Sequence, residues 1–506
     1  MRRFMINKPI QELDLISELP GPIIQHIMSL IPYKEAARMS VLSKRFASAW
    51  NCFPIIILDE TLIMGSCLEL TESRSEQPNN GIENAIAYAI ENKVKELELD
   101  IVGQGLIFKA HYNLPRKVLS CQSITVLSLK GFVLESSQNL TLNFPFIKEL
   151  KLEKCTVMQT LNISSQTLKS VVIEFCQDLE KININASNLE SFSLSGGPDS
   201  SSSINITACK SLKYLSLKNA QITDEWIKHE VAQFFRLEVL KVVGCRLLKN
   251  FHVSDTNLKT VDLRNCSQLQ KIEIYARSLN TFVYHGHLMP SEVFIDSPSF
   301  RAKISLSVDL QLPHDWFSRL RDFLSCFDHC EELEIACEVG KALIVPIDFR
   351  VNSLPPLYDL NYLKLVAKFP TNTEDLLDLL ESLLWFAPHL TILSFVSGRK
   401  EKSLKFEYDP EIAIEGDLEC CYSLPIKCWQ HSLKKVIVEN FEERENMVLE
   451  KFLAQKGIRM EATSREDNAC ADAKAGGSED SGSVIIRNVS DLRAIFMSNF
   501  FGFDDI

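Results

Sequence analysis

The sequence predicts an α/β chain: a three-helix module at the N-terminus, then a solenoid with parallel strands on its concave side and short strands, later helices, on its convex side. Three observations predict it. An apolar-x-x-apolar-x-apolar pattern recurs nine times between Val94 and Tyr284, its first positions 30, 23, 21, 21, 23, 25, 21 and 21 residues apart, and a period of that length marks stacked units that bury their apolar faces only against one another. Nested inside it, Leu161-x-Ile163, Ile182-x-Ile184, Phe251-x-Val253 and Ile272-x-Ile274 each begin fourteen residues after a repeat start, and alternation of period two is strand periodicity. Ahead of the repeats, residues 14–54 carry helical spacing instead, with more apolar side chains than so short a segment can bury alone.

In that first segment Pro22 suits the opening turn of a helix, and Ile23, Ile27 and Leu30 or Ile31 recur along it until Pro32 ends the run. Glu35–Ser40 fits a second helix. Ser43 stands as the N-cap of a third, with Phe46 and Trp50 one turn apart. The pair Leu19-Pro20, the run Val41-Leu42-Ser43-Lys44-Arg45-Phe46 and Trp50 resemble the F-box. That resemblance implies docking to a Skp-type adaptor, and through it to a cullin and a RING protein, with Leu19, Pro20, Ile23, Ile27, Val41, Leu42 and Trp50 as the adaptor contact. Spacing alone would also allow an N-terminal cap for the solenoid, but would not require the Leu19-Pro20 and Val41–Arg45 wording.

The 506 residues suffice for several domains, and 46% hydrophobic residues with ordinary charge density predict a globular chain. A net charge of −12 argues against a general nucleic-acid or anionic-membrane binder. The N-terminus has no apolar core of signal-peptide length, and no later stretch reaches the roughly 20 apolar residues that span a bilayer. The expectation is a soluble intracellular protein of cytoplasm, nucleus or both, its fifteen cysteines reduced.

Residues 55–93 read as a connector: an apolar run at Ile55–Leu58, a polar loop at Ser73–Gly81, and a capping helix over Ile82–Asn92. Residues 94–290 hold the nine short repeats, whose L-x-x-L-x-L wording is that of leucine-rich repeats. Cys155, Cys176, Cys245 and Cys266 each fall eight residues after a repeat start, where that repeat has Asn or Cys, so they are expected to be buried and inert. A unit of 21 residues has no room for a full helix. The 25-residue unit does, and a helix is expected over Asp224–Phe235.

Residues between the repeat leucines face outward, because side chains alternate along a strand. They include Glu96, Glu98, Asp100, Lys130, Glu149 and Glu153, and then Lys151, Tyr214, Lys218, Lys241, Asp262 and Arg264, the last six being the candidate target-binding set. This mixture suits a protein surface and lacks the dense basic cluster that would cradle a polyphosphate cofactor.

After Tyr284 the period changes. Pro290, Pro298 and Pro313 are expected to break the pattern, and residues 291–405 to continue it as longer repeats, Cys330-Leu333-Ile335, Leu360-Leu363-Leu365 and Leu390-Leu393-Phe395 being 30 residues apart. The added length admits helices at Trp316–Phe327 and Thr373–Trp385. Residues 406–462 form a cap in which Leu433-Lys434-Lys435-Val436-x-Val438-x-x-Phe441, Glu445 and the helix through Leu449, Phe452 and Leu453 resemble the FBD segment of plant F-box/leucine-rich-repeat proteins. Residues 463–506 read as a flexible tail that regains apolar character near its end.

No P-loop, nucleophile elbow, H-E-x-x-H or Rossmann glycine set occurs, and neither Cys326-His329-Cys330 nor Cys420-Cys421-Cys428 has paired C-x-x-C spacing. No catalytic residue, metal or cofactor is expected. The resemblance implies a non-catalytic substrate-recognition subunit of a Skp–cullin–F-box ubiquitin ligase, the F-box holding the adaptor and the repeats holding an unidentified target protein. A repeat scaffold outside ubiquitin transfer, and a small-molecule co-receptor, are the alternatives.

Overall fold

One pattern of half-exposed and buried residues in alternation, seen at Glu96–Asp100, Val126–Lys130, Ser170–Glu174 and Val239–Val243, generates most of the architecture. The computed structural model describes residues 19–31, 33–51, 53, 55–58, 86–101, 112–119, 121–135, 139–143, 145–197, 202–254, 257–308, 311–337, 340–368, 372–409 and 429–463. Among them, seventeen strands join into one sheet. Ile55–Leu58 pairs in parallel with Glu96–Asp100, and parallel pairing then runs rung by rung to Ile392–Ser397. The repeat leucines fill the core, Leu97, Leu127, Leu150, Val171, Phe192, Leu215, Leu240, Val261 and Phe282 all being essentially inaccessible.

At the C-terminal end of six of the short-period strands the chain turns through the left-handed region, at Gly131, Lys154, Phe175, Asn219, Gly244 and Asn265. The backbone N–H at that turn donates to the last carbonyl of the next rung: Lys154 to Glu174, Phe175 to Ser195, Asn219 to Val243, at 2.7–2.8 Å. The turn thereby stitches each rung to its successor. At Gly244 the glycine has two reasons, its φ of +65° and a Cβ that would lie 2.1 Å from Asn219 Oδ1.

The nested alternation is the convex layer. Thr156–Ser164 and Gln177–Asn185 lie in a six-stranded sheet, and Asn250–Ser254 and Lys271–Tyr275 in a three-stranded one. Between these sheets sits the helix Asp224–Glu230, shorter than expected because Val231–Gln233 tightens into a 3-10 turn that buries Val231 and Phe234. Trp226 Nε1 donates to the Ile204 carbonyl on one side, at 3.0 Å. On the other, Asp224 accepts from Lys249 N and Asn250 Nδ2, both at 2.8 Å.

Pro290 and Pro298 do not break the array, contrary to expectation. Glu292–Asp296 extends the convex sheet and Arg301–Leu306 adds a concave rung in register with Thr281–Gly286, Ala302 standing where earlier rungs carry leucine. Beyond it, helices replace convex strands. Trp316–Ser325 buries Trp316, Leu320 and Leu324, and Thr373–Phe386 is N-capped by Asn372. The concave sheet then reverses at Gly398, φ +60°, into the antiparallel strands Lys400–Tyr408 and Leu433–Glu439. The helix Glu443–Gln455 follows, and a last strand, Arg459–Thr463, which the sequence signals weakly. Cys420, Cys421, Cys428 and residues 464–506 lie outside the described residues.

Candidate functional site

Two surfaces draw on the expected site residues. The first is the helical module, made of α1 (Gly21–Ser29), α2 (Tyr33–Met39) and α3 (Lys44–Asn51). Ser43 Oγ accepts from Phe46 N at 3.2 Å, the cap expected for α3, and Gln25 Nε2 ties α1 to the Ala49 carbonyl. The module closes its own small core from Ile24, Met28, Ala36, Phe46, Ala49 and Phe53.

That core is not the stripe read from the sequence. Ile24 and Met28 turn inward, which sets Ile23, Ile27 and Leu30 on the outer side of α1. Ile23 is 46% exposed, Leu30 65%, and in the turn before α3 Val41 is 85% and Leu42 65% exposed. Pro20 is exposed, while Leu19 and Ile27 are half-buried. Trp50 belongs partly to the interior, stacked on Phe53 with ring centroids 5.5 Å apart. Leu19, Pro20 and Pro22 line one side of a groove whose other side is Arg45, Ser48 and Ala49 of α3. Ile23, Leu30, Val41 and Leu42 are thus four large apolar side chains that this module leaves in water.

The second surface is the concave face. Its first four repeat rungs carry Glu96, Glu98, Asp100, Glu149, Glu153 and Glu174 against Lys130 and Lys151, and the two lysines bridge neighbours: Lys130 to Asp100 at 2.9 Å and Glu153 at 3.5 Å, Lys151 to Glu153 at 2.9 Å and Glu174 at 3.4 Å. The next rungs change sign. Ser191, Ser193 and Ser195 occupy one strand, and Lys218 and Lys241 follow. Lys241 lies 5.5 Å over the Tyr214 ring, and Lys218 6.0 Å over Phe175.

Six residues were expected to bind a target, and the sheet separates them. Tyr214, Lys218 and Lys241 come together on adjacent strands. Lys151 is engaged in the acidic rungs. Asp262, though on the concave side, is buried and accepts from Arg264 Nε at 2.7 Å, so its carboxylate is already used. Phe175 also borders the place where Tyr214, Lys218 and Lys241 meet, standing seven residues after a repeat start, where other repeats have Gly131, Lys154, Gly196, Asn219, Gly244 and Asn265.

The repeat thiols are structural. Cys155, Cys176, Cys245 and Cys266 each donate to a carbonyl of the preceding rung, at 3.4–3.8 Å. Cys155 and Cys245 are buried and Cys176 and Cys266 half-buried. Cys326, His329 and Cys330 are held by different carbonyls, those of Asp322, Ile295 and Glu332. No helix among the described residues is long and apolar enough to cross a membrane.

Comparison with known proteins adds identity to these surfaces. The F-box domain family matches residues 16–58, and the family described as "At1g61320/AtMIF1, LRR domain" matches residues 200–450. The chain is similar to an Arabidopsis thaliana protein whose name describes it as F-box/FBD/LRR-repeat, At4g03220, with 22% identity over 91% of each chain. It is similar as well to At3g18150 of the same plant, named as an F-box/LRR-repeat protein, with 28% identity over 32% of this chain and 42% of that one, and to F-box/LRR-repeat protein At5g02910, with 25% identity over 29% of this chain and 35% of that one. These two matches take in less than half of the relatives' own length. The chain thus joins an F-box to a leucine-rich-repeat domain.

Proposed function

We propose that this chain, with its F-box and leucine-rich repeats, is a non-catalytic substrate-recognition subunit of a Skp–cullin–F-box ubiquitin ligase, working in cytoplasm, nucleus or both. The observation that carries the reading is the set of apolar side chains the F-box core leaves out, Ile23, Leu30, Val41 and Leu42. Burying each would contribute roughly 1.5–3 kcal/mol to an interface, and a Skp-type adaptor is the partner that F-box domains generally take. The adaptor contact is assigned to Leu19, Pro20, Ile23, Ile27, Val41 and Leu42, with Trp50 supporting it from beneath. Through the adaptor the chain reaches a cullin. Its repeats hold a target protein, and tethering raises the effective concentration of that protein's lysines beside a charged ubiquitin carrier.

Co-purification of the full chain with a Skp-type adaptor and cullin tests this. The unsubstituted chain is expected to retain both, and the double variant Val41→Asp, Leu42→Asp to retain neither while keeping its circular dichroism, since both side chains already stand in water. Absence of adaptor and cullin from the unsubstituted chain would overturn the reading.

A further inference from the structure

Across the parallel rungs, concave cations are matched to carboxylates with one interruption. Lys130 and Lys151 sit in the acidic ladder, Arg264 holds Asp262, Arg301 and Lys303 reach Glu332 and Glu334, and Lys364 also reaches Glu334. Lys218 and Lys241 alone among these have no carboxylate partner among the described residues, and their cationic heads lie over aromatic rings instead. The cross-strand neighbours of Lys218 are Ser195 and Val243, and those of Lys241 are Ser216 and Asp262, whose carboxylate holds Arg264 instead.

Two independent observations fall at the same place. Ser195, the register partner of Lys218, is 7% exposed and its hydroxyl has no hydrogen-bond partner among the described residues. On its other side Glu174 is already taken by Lys151. Phe175 holds a φ of +52° at the turn where, Lys154 apart, other repeats use glycine or asparagine, and the residue is 43% exposed. A bulky residue in the left-handed region costs on the order of 1–2 kcal/mol, and such strain clusters at sites that bind.

We propose that Phe175, Ser195, Lys218 and Lys241 receive an acidic segment, aspartate- or glutamate-bearing, of the protein that this chain recruits. The inference rests on the target-recognition reading above and names the chemistry of its substrate. A carboxylate at this site accepts from the Ser195 hydroxyl and pairs with Lys218. Phe175 covers the segment, and Lys241 takes the next acidic side chain along. The preceding rungs, rich in carboxylates, repel an acidic segment and so fix where along the face it lies.

The test is fluorescence anisotropy of a labelled hexaglutamate peptide, with hexalysine as its counterpart, against the full chain at about 50 mM and about 300 mM salt. Hexaglutamate is expected to bind, to weaken at the higher salt, and to lose about tenfold in affinity in Lys218→Glu, Lys241→Glu. Phe175→Asn is expected to weaken binding without lowering the thermal unfolding midpoint, because asparagine tolerates the left-handed turn; a purely structural Phe175 would not separate the two readouts. No binding of hexaglutamate at low salt, or unchanged binding in the double lysine variant, overturns the proposal. The lysine variant is also assayed for adaptor retention. Loss of the adaptor from every form would sink the ligase reading and leave the peptide result standing, whereas adaptor retention without peptide binding sinks the acidic-segment proposal alone.

Discussion

Lys402, on the strand Lys400–Tyr408, and Glu445, in the first turn of the helix Glu443–Gln455, form an ion pair at 2.6 Å with both side chains largely buried. Lys402 Nζ reaches both carboxylate oxygens, and the same Glu445 accepts from Glu442 N at 2.7 Å, so one carboxylate both starts the helix and fastens it to the sheet. The Phe441 ring lies 5.3 Å from the ammonium. Charge here closes the C-terminal end of the solenoid, where a repeat would otherwise continue.

Removing one partner of that pair leaves the other buried and uncompensated. Lys402→Ala is expected to destabilise the C-terminal unit by about 3 kcal/mol. Faster amide exchange through Glu443–Gln455, with protection of Thr281–Gly286 unchanged, would be the signature. Replacing both partners by apolar residues should restore much of the protection, and a double variant as labile as the sum of the singles would contradict this account.

The acidic rungs predict a pH response with a definite sign. Burial alone would raise the Glu153 carboxyl, but the hydrogen bond and charge of Lys151, joined by Lys130, hold it below the ordinary carboxylate range. A carboxyl held low when folded contributes stability above its unfolded value of about 4.3, and the contribution disappears as pH falls through the folded value. Thermal midpoints measured from neutral pH downward should therefore decline in acid, and less steeply in Glu153→Gln. Identical slopes for the two proteins would remove Glu153 from the explanation.

Burial pushes the Cys209 and Cys266 thiols up to about 11 and those of Cys245 and Cys330 up to about 12. With so little thiolate they should resist iodoacetamide at about pH 8 in the folded chain and react once urea exposes them. Rapid native alkylation at Cys245, identified by peptide mass, would show that the rung opens far more often than its packing implies.

Asp224 fastens the helix Asp224–Glu230 to the convex sheet that follows, through Lys249 N and Asn250 Nδ2. Asp224→Ala removes both acceptors and is expected to cost about 1–2 kcal/mol. The loss should be local, raising amide exchange over Asp224–Glu230 and Asn250–Ser254 while Gln177–Asn185 stays protected. A uniform rise across the solenoid would mean that the repeats unfold as one unit.

Periodicity made most of the architecture legible before any coordinates. A leucine every twenty-odd residues can be buried only if successive units stack, and Leu97 through Phe282 are buried as that requires. The convex alternation at Leu161, Ile182, Phe251 and Ile272 was equally plain, and so were the helices that begin at Trp316 and Thr373. The rung Arg301–Leu306 escaped because Ala302 stands in a leucine position and two prolines precede it, although both lie where no ladder hydrogen bond is needed.

Other features depend on which neighbour a residue meets, and spacing along one chain does not contain that. Six apolar residues of α1 and its end, Ile23, Ile24, Ile27, Met28, Leu30 and Ile31, form two overlapping stripes of equal hydrophobicity; packing against Phe46 and Ala49 chose the stripe of Ile24 and Met28, and left the other outside. On the concave face the sequence names every charge but not its partner. Register across strands brings Lys130 between Asp100 and Glu153 and sets Lys218 beside Ser195, because pairing between rungs is decided by turns and bulges in the intervening residues rather than by the charged residues themselves.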